Sequence, residues 1–95
     1  MADEMTVQHD PAQQRFRVTL QGQEAFLSYR IAGKEIDLHH TFVPEAFRGR
    51  GLAERLCQAA FEYAKAAPLT VIPSCPYISG AYLKRHAEYA PLVKR

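Results

Sequence analysis

Pro44 divides the chain into a half with strand periodicity and a half with helical periodicity, and this division most constrains the fold. Before it, apolar and polar residues alternate in three runs, 15–20, 25–31 and 35–43. Short turns containing Gly22 and Gly33 separate these runs. Alternation with a period of two predicts half-buried strands, and the glycine turns predict that they form an antiparallel meander. A further strand at 6–9 would make four.

In the third run the alternation predicts that one face carries Ile36, Leu38, His40 and Phe42. After Pro44, apolar residues from Leu52 to Tyr63 recur at helical spacing, and Pro68 marks the end of an amphipathic helix. The apolar run 69–72 predicts a strand buried on both faces and parallel to its neighbour. A second helix is expected at 77–86, with Cys75 as its N-cap and Pro76 at its first helical position.

This order of elements predicts a mixed α/β sheet, an antiparallel β-meander followed by a β-α-β unit and a C-terminal helix. Ninety-five residues suffice for one domain, so we expect a single domain over 1–95 with residues 1–5 disordered. No apolar run approaches the ~20 residues that span a bilayer, and the acidic N-terminus is unlike a signal peptide. We therefore expect a cytoplasmic protein without membrane contact, as a monomer or weak dimer.

The charge is unevenly distributed along the chain. The formal net charge is only +2, but residues 1–47 carry four basic and seven acidic side chains, and residues 48–95 carry eight and three. The second half is therefore suited to an anionic ligand. Two cysteines, Cys57 and Cys75, are expected to be free thiols, with Cys57 on an apolar helical stripe. No metal site is expected, because two cysteines cannot form a zinc site alone and the histidines lack finger spacing.

The segment 47–53 joins a strand to the first turn of a helix and contains Arg48, Gly49, Arg50 and Gly51. Glycines let the backbone turn tightly and present successive N–H groups, while the helix N-terminus and the arginines add positive charge. This combination favours a phosphate or pyrophosphate ligand. The alternative is a flexible basic turn that caps the helix, because neither a dinucleotide fingerprint nor a P-loop is present.

The surrounding motifs favour the ligand. Arg48-x-x-Gly51-x-Ala53, after a strand that ends at 41–44, resembles the R/Q-x-x-G-x-G/A signature of the GNAT acyltransferase superfamily. Together with His40-Thr41-x-Val43-Pro44 and Cys75-Pro76-Tyr77, it is similar to the small cysteine-containing GNAT-like proteins. The resemblance spans about residues 7–93 and implies a GNAT-like fold and an acetyl-CoA-dependent activity.

The resemblance also implies positions for the ligand, acetyl-CoA or coenzyme A. Loop amides would bind its pyrophosphate, the strand end would offer an N–H to the thioester carbonyl, and the pantetheine arm would lie where two strands splay apart. Cys75, after the buried strand, would lie near the acetyl group. The residues implied in binding are Phe42, Val43, Arg48, Gly49, Arg50, Gly51, Leu52, Ala53, Cys75 and Tyr77.

Three residues are candidates for catalysis. A helix N-terminus at Cys75 would favour the thiolate, which could accept an acyl group and pass it to an amine; the alternative is a packing cysteine. Where relatives carry a glutamate base this chain has Phe42, so His40, or else His39, is the candidate base. Tyr82 matches loosely the tyrosine acid of the superfamily, or is a core aromatic paired with Tyr77 or Tyr89. The polar residues 84–86 that follow are either a solvated helix face or contacts to the 3′-phosphate of the cofactor, and the sequence does not single out one of them.

We therefore predict an N-acetyltransferase that transfers an acetyl group to an unidentified amine of a small molecule or protein, with acetyl-Cys75 as one route. Two alternatives stay open. One is a non-catalytic module that binds CoA or acetyl-CoA, since so short a chain leaves little material for an acceptor pocket. The other is a small RNA-binding domain that uses the Gly-Arg-Gly loop, against which the low net charge argues.

Overall fold

The computed structural model describes residues 6–94, which form one five-stranded sheet with strand order β1-β2-β3-β4-β5. The first four strands are antiparallel neighbours, and β5 pairs in parallel with β4. This confirms the predicted mixed sheet. The predicted disorder of 1–5 lies outside the described residues. The strands are β1 Gln8–Asp10, β2 Arg15–Leu20, β3 Gln23–Ala32, β4 Glu35–Phe42 and β5 Thr70–Ile72.

Helix α1, Leu52–Ala66, connects β4 to β5 and packs on one face of the sheet. Its apolar stripe, including Leu56, Cys57 and Phe61, is fully buried against the alternate residues of the central strands. Three buried residues in β2 and three in β3 form the other half of this core: Phe16, Val18, Leu20, Ala25, Leu27 and Tyr29. The apolar residues that recur with a period of two in the strands therefore pack against those that recur with a period of 3.6 in α1, and together they form one apolar layer.

The chain after β5 is helical but irregular. A π-helical stretch, Tyr77–Tyr82, continues into one α-helical turn, α2, Leu83–Arg85, and a 3₁₀-helix follows at Ala87–Leu92. Residues 77–85 are called the C-terminal helical segment below. Its N-cap is Pro76, one residue later than predicted. None of the described helices is long and apolar enough to cross a membrane.

The prediction that β5 is buried on both faces is wrong. Only Val71 is buried, while Thr70 is exposed and Ile72 is half-buried. The reason is that β5 lies at the edge of the sheet, where the C-terminal tail covers it only at one point. Val93 forms an isolated parallel bridge to Val71, and the Lys94 N–H donates to the Val71 carbonyl at 2.8 Å.

A β-bulge in β4 overturns the predicted alternation of that strand. Leu38 pairs with Tyr29 and His40 with Ser28, so His39 is an extra residue without a partner in β3. Such an insertion moves all later side chains to the opposite face. Ile36 and Leu38 are therefore buried under α1, but His40 and Phe42 lie on the outer face. Thr41 takes their place on the side of the core.

Candidate functional site

The carboxyl end of β4 opens a cleft of about 640 Å³. Strand β5 pairs with β4 only as far as Asp37, and the Cys75 N–H makes one further bond to the Leu38 carbonyl at 2.9 Å. Beyond that bond β4 and the segment that follows β5 separate. The cleft lies between this end of β4, the start of α1 and the C-terminal helical segment, and its lining comprises Thr41, Phe42, Val43, Phe47, Arg48, Gly49, Gly51, Leu52, Ala53, Glu54, Tyr77 and Arg85.

Backbone N–H groups line the loop side of this cleft. Gly49 and Gly51 have φ values of 86° and 79°, in the left-handed region that favours glycine, and Gly51 is the N-cap of α1. The N–H groups of residues 49–53 donate to no acceptor among residues 6–94. The Arg55 N–H, by contrast, donates to the Gly51 carbonyl, which is a hydrogen bond of the helical i to i−4 kind. Open donors at a helix N-terminus form an anion site.

The charged side chains at the cleft differ in how they are held. Arg48 Nε donates to the Val43 carbonyl at 3.1 Å, which fixes the loop to the end of β4. Arg50 does not line the cleft, because its guanidinium lies 5.3 Å from the ring centroid of Phe47. Arg85, from α2, forms an ion pair with Glu54 in the first turn of α1.

Cys75 lies behind the wall of the cleft. Its side chain is 6% exposed, and its Sγ–H donates to Thr41 Oγ1, a cleft-lining hydroxyl, at 3.6 Å. Because of the bulge, Thr41 points toward this thiol. Cys57 is fully buried on α1, and burial raises the pKa of its thiol. Of the two cysteines, Cys75 is therefore the one next to the cleft.

The two candidate tyrosines have different surroundings. Tyr77 lines the cleft and is half-buried; burial raises the pKa of its hydroxyl, and the nearby Cys57 and Glu54 raise it further. Tyr82 is 1% exposed and does not line the cleft. Its ring stacks on Phe61 and His86, with centroids 5.6 and 4.4 Å apart. These contacts favour the packing role for Tyr82.

His40 is exposed on the outer face of the sheet, with its ring 5.8 Å from that of Phe26. His39, the bulge residue, is also exposed, and neither histidine lines the cleft. The bulge separates both from Cys75, although His40 is next to Thr41 in the chain. Of the predicted site residues, eight line the cleft: Phe42, Val43, Arg48, Gly49, Gly51, Leu52, Ala53 and Tyr77.

Sequence reasoning missed three lining residues, Thr41, Phe47 and Glu54, and it did not single out Arg85 from its neighbours Lys84 and His86. Thr41 and Phe47 flank the recognised motif, and an allowance for a bulge would have turned Thr41 inward. Glu54 follows the loop directly and could have been included as part of the first helical turn. The sequence gives no reason to choose Arg85 among the three, because its position depends on a contact with a residue 31 positions earlier.

Comparisons with known proteins agree with this geometry. A model of the family described as GCN5-related N-acetyl-transferase matches residues 15–92. The chain is 41% identical over 83 residues to protein NATD1 of Xenopus tropicalis, covering 84% of this chain and 75% of that protein. It is also 41% identical over 83 residues to protein NATD1 of Homo sapiens, covering 84% and 73% respectively.

A solved structure shares the fold. The solution NMR structure of a GCN5-like protein from Staphylococcus aureus superposes with a TM-score of 0.75 and 22% sequence identity. The match covers 98% of this chain and 91% of that chain. At this identity the likeness shows the fold alone, and it supports the predicted arrangement of sheet and helices.

Proposed function

Since the chain belongs to the GCN5-related N-acetyltransferase family, we propose that it binds acetyl-CoA in the cleft and transfers the acetyl group to an amine. The row of open N–H groups at residues 49–53 carries this proposal, because it faces a cleft at the N-terminus of a four-turn helix. These donors suit the pyrophosphate of the coenzyme. The neighbouring Arg48 adds positive charge.

Acetyl-CoA supplies an activated acetyl thioester, and the chain would position its carbonyl. The Val43 N–H, just past the end of β4, has no acceptor among the described residues. A fixed N–H of this kind stabilises the negative charge that develops on a carbonyl oxygen during acyl transfer. Val43 and Leu52 provide apolar walls for the pantetheine arm between the end of β4 and α1.

Cys75 is the proposed nucleophile. Sγ of Cys75 would form a bond to the acetyl carbon as the donor C–S bond breaks. The departing sulfur would take a proton from the Tyr77 hydroxyl, and the Tyr77 oxygen would take the proton released from Sγ. An amine would then attack acetyl-Cys75, the C–Sγ bond would break, and the proton lost by the amine would restore the thiol. The raised pKa of Tyr77 keeps its hydroxyl protonated and able to donate. His40 has its side chain on the outer face of the sheet and does not line the cleft, so the amine is proposed to enter unprotonated and to give its proton to Sγ of Cys75.

Intact-mass spectrometry after incubation with acetyl-CoA tests this route. We expect one acetyl adduct on the wild-type protein that disappears in Cys75→Ala and persists in Cys57→Ala, because Cys57 is fully buried on α1 and does not line the cleft. Amine substrates should discharge the adduct. An adduct on Cys57, or on neither cysteine, would contradict the covalent route and leave direct transfer to the amine.

The burial of Cys75 favours a second candidate, a module that binds CoA without chemistry. The thiol is 6% exposed, and Glu54, the carboxylate that lines the cleft, is already paired with Arg85. A binding module predicts that acetyl-CoA raises the melting temperature of wild type and of Cys75→Ala equally, with no adduct. A shift without turnover of any amine would favour this candidate over the enzyme.

A further inference from the structure

The cleft has an arginine that does not come from the loop. Arg85 is one of two arginines that line it, and it belongs to the C-terminal helical segment. Its Nη1 donates to Oε2 of Glu54, so the ion pair bridges α1 and the C-terminal segment beside the cleft. The Arg85 side chain is 69% exposed. A guanidinium has five N–H donors, so most of them stay open to a ligand.

Arg48 and Arg50, the two arginines of the loop, are less available than Arg85 to bind an anion in the cleft. Arg48 uses its Nε on the Val43 carbonyl, and Arg50 lies over Phe47 outside the lining of the cleft. Of the two arginines that line the cleft, Arg85 is therefore the one whose guanidinium donates to a charged side chain. Such a contact can be shared with an anion, because a guanidinium can bind two acceptors in its plane.

The ion pair also affects the charge at the N-terminus of α1. A carboxylate in the first turn of a helix is favourable in itself, but it repels an anion bound at the same N-terminus. Arg85 neutralises Glu54, and His86 Nε2 lies 3.8 Å from the same carboxylate oxygen. Substitution of Arg85 would thus remove a guanidinium that could hold a phosphate. It would also leave the Glu54 carboxylate without its arginine partner next to the open N–H groups.

We propose that Arg85, held in place by Glu54, binds a phosphate group of coenzyme A. The inference rests on the proposed function and adds a residue, from a different part of the chain, that selects for the phosphorylated ligand. The group is either the 3′-phosphate or the pyrophosphate, which share the same oxygen chemistry. The C-terminal helical segment then takes part in binding as well as in the fold.

Calorimetric titration with CoA and with 3′-dephospho-CoA tests the proposal. Arg85→Gln should bind CoA about tenfold more weakly than wild type, as expected for loss of a charged hydrogen bond. Lys84→Gln, which removes the neighbouring exposed cation, should bind like wild type. Glu54→Gln combined with Arg85→Gln should bind CoA more tightly than Arg85→Gln alone, because the uncovered carboxylate is gone. Circular dichroism verifies that each variant is folded.

The two ligands separate the sources of the phosphate. If Arg85 contacts the 3′-phosphate, Arg85→Gln loses affinity for CoA and not for dephospho-CoA; if it contacts the pyrophosphate, both affinities fall. Equal CoA affinity in wild type and folded Arg85→Gln would overturn this inference and leave the proposed function intact. No CoA binding by wild type would overturn both.

Discussion

The two ends of β4 differ in what their side chains and backbone do. At the amino end, Ile36 and Leu38 are fully buried, and the backbone pairs with strands on both sides. At the carboxyl end, β5 no longer pairs with the strand, and Phe42 is 41% exposed beside the cleft. One continuous strand therefore stabilises the core at one end and lines an open cleft at the other. The bulge at His39 is the boundary between them.

The largest effect is expected from a substitution at the buried, amino end of β4. Leu38→Ala should lower the free energy of unfolding by about 2–5 kcal/mol, because it leaves a cavity under α1. Phe42→Ala should cost on the order of 1 kcal/mol or less, since much of that ring already contacts water. Urea unfolding of both variants checks the contrast. Similar losses would mean that the two ends are equally part of the core.

A smaller effect is expected at the glycine before α1. Gly51→Ala should cost about 1–2 kcal/mol of stability, because its φ of 79° is unfavourable for a side chain. An added Cβ there would meet no protein atom within 4 Å, so the cost is in the backbone. The new methyl group would stand at the open N–H groups, and acetyl-CoA binding should fall as well.

Gly33→Ala is the matched control for this substitution. Gly33 also has a positive φ, 60°, and open space around it, but it lies in the β3–β4 turn away from the cleft. Its variant should lose similar stability and keep its affinity for acetyl-CoA. Equal loss of affinity in both variants would assign the effect to reduced stability and not to the anion site.

The smallest effect concerns pH and an aromatic cluster at the β1 edge of the sheet. His9 stacks on Phe16 with centroids 4.2 Å apart, and its Nε2 lies 2.6 Å from the Tyr29 hydroxyl. Burial lowers the pKa of His9, although Asp10 opposes the shift. The unfolded chain therefore takes up a proton more readily than the folded one, so stability is fully present above about pH 6.5 and falls as the pH drops below it.

Urea unfolding at pH 7 and pH 5 should show this loss in wild type, and His9→Gln should reduce it. The cleft in which we propose that CoA binds is at β4, toward the opposite edge of the sheet, so CoA affinity at pH 7 should not change in the variant. The same acid sensitivity in His9→Gln and wild type would assign the loss to other groups.

Local patterns predicted most of the fold. The alternation at 15–20 and the helix start at Leu52 agree with the structure, because each depends on neighbours in sequence and on the Gly and Pro residues that punctuate them. The bulge at His39 was not predictable in this way, since an inserted residue has no signature in a period of two. It reversed the predicted faces of His40 and Thr41, and with them part of the site.

The loop motif predicted the open N–H groups at one end of the cleft, because backbone donors depend on the positions of Gly49 and Gly51. The other wall depends on long-range contacts. Tyr82 is buried by stacking on Phe61, and Arg85 is placed by its ion pair with Glu54. Neither contact follows from spacing along the chain, so the sequence alone left Tyr82 open between acid and core aromatic and did not distinguish Arg85 from Lys84 and His86.

Amide chemical shifts during titration with CoA test the central claim most directly. The account predicts that the ¹⁵N–¹H resonances of Gly49, Gly51 and Leu52 shift as their N–H groups gain phosphate acceptors, while those of Gly22 and Gly33 stay unchanged. Saturating CoA that leaves the three loop resonances in place, or shifts only residues outside the cleft, would contradict it.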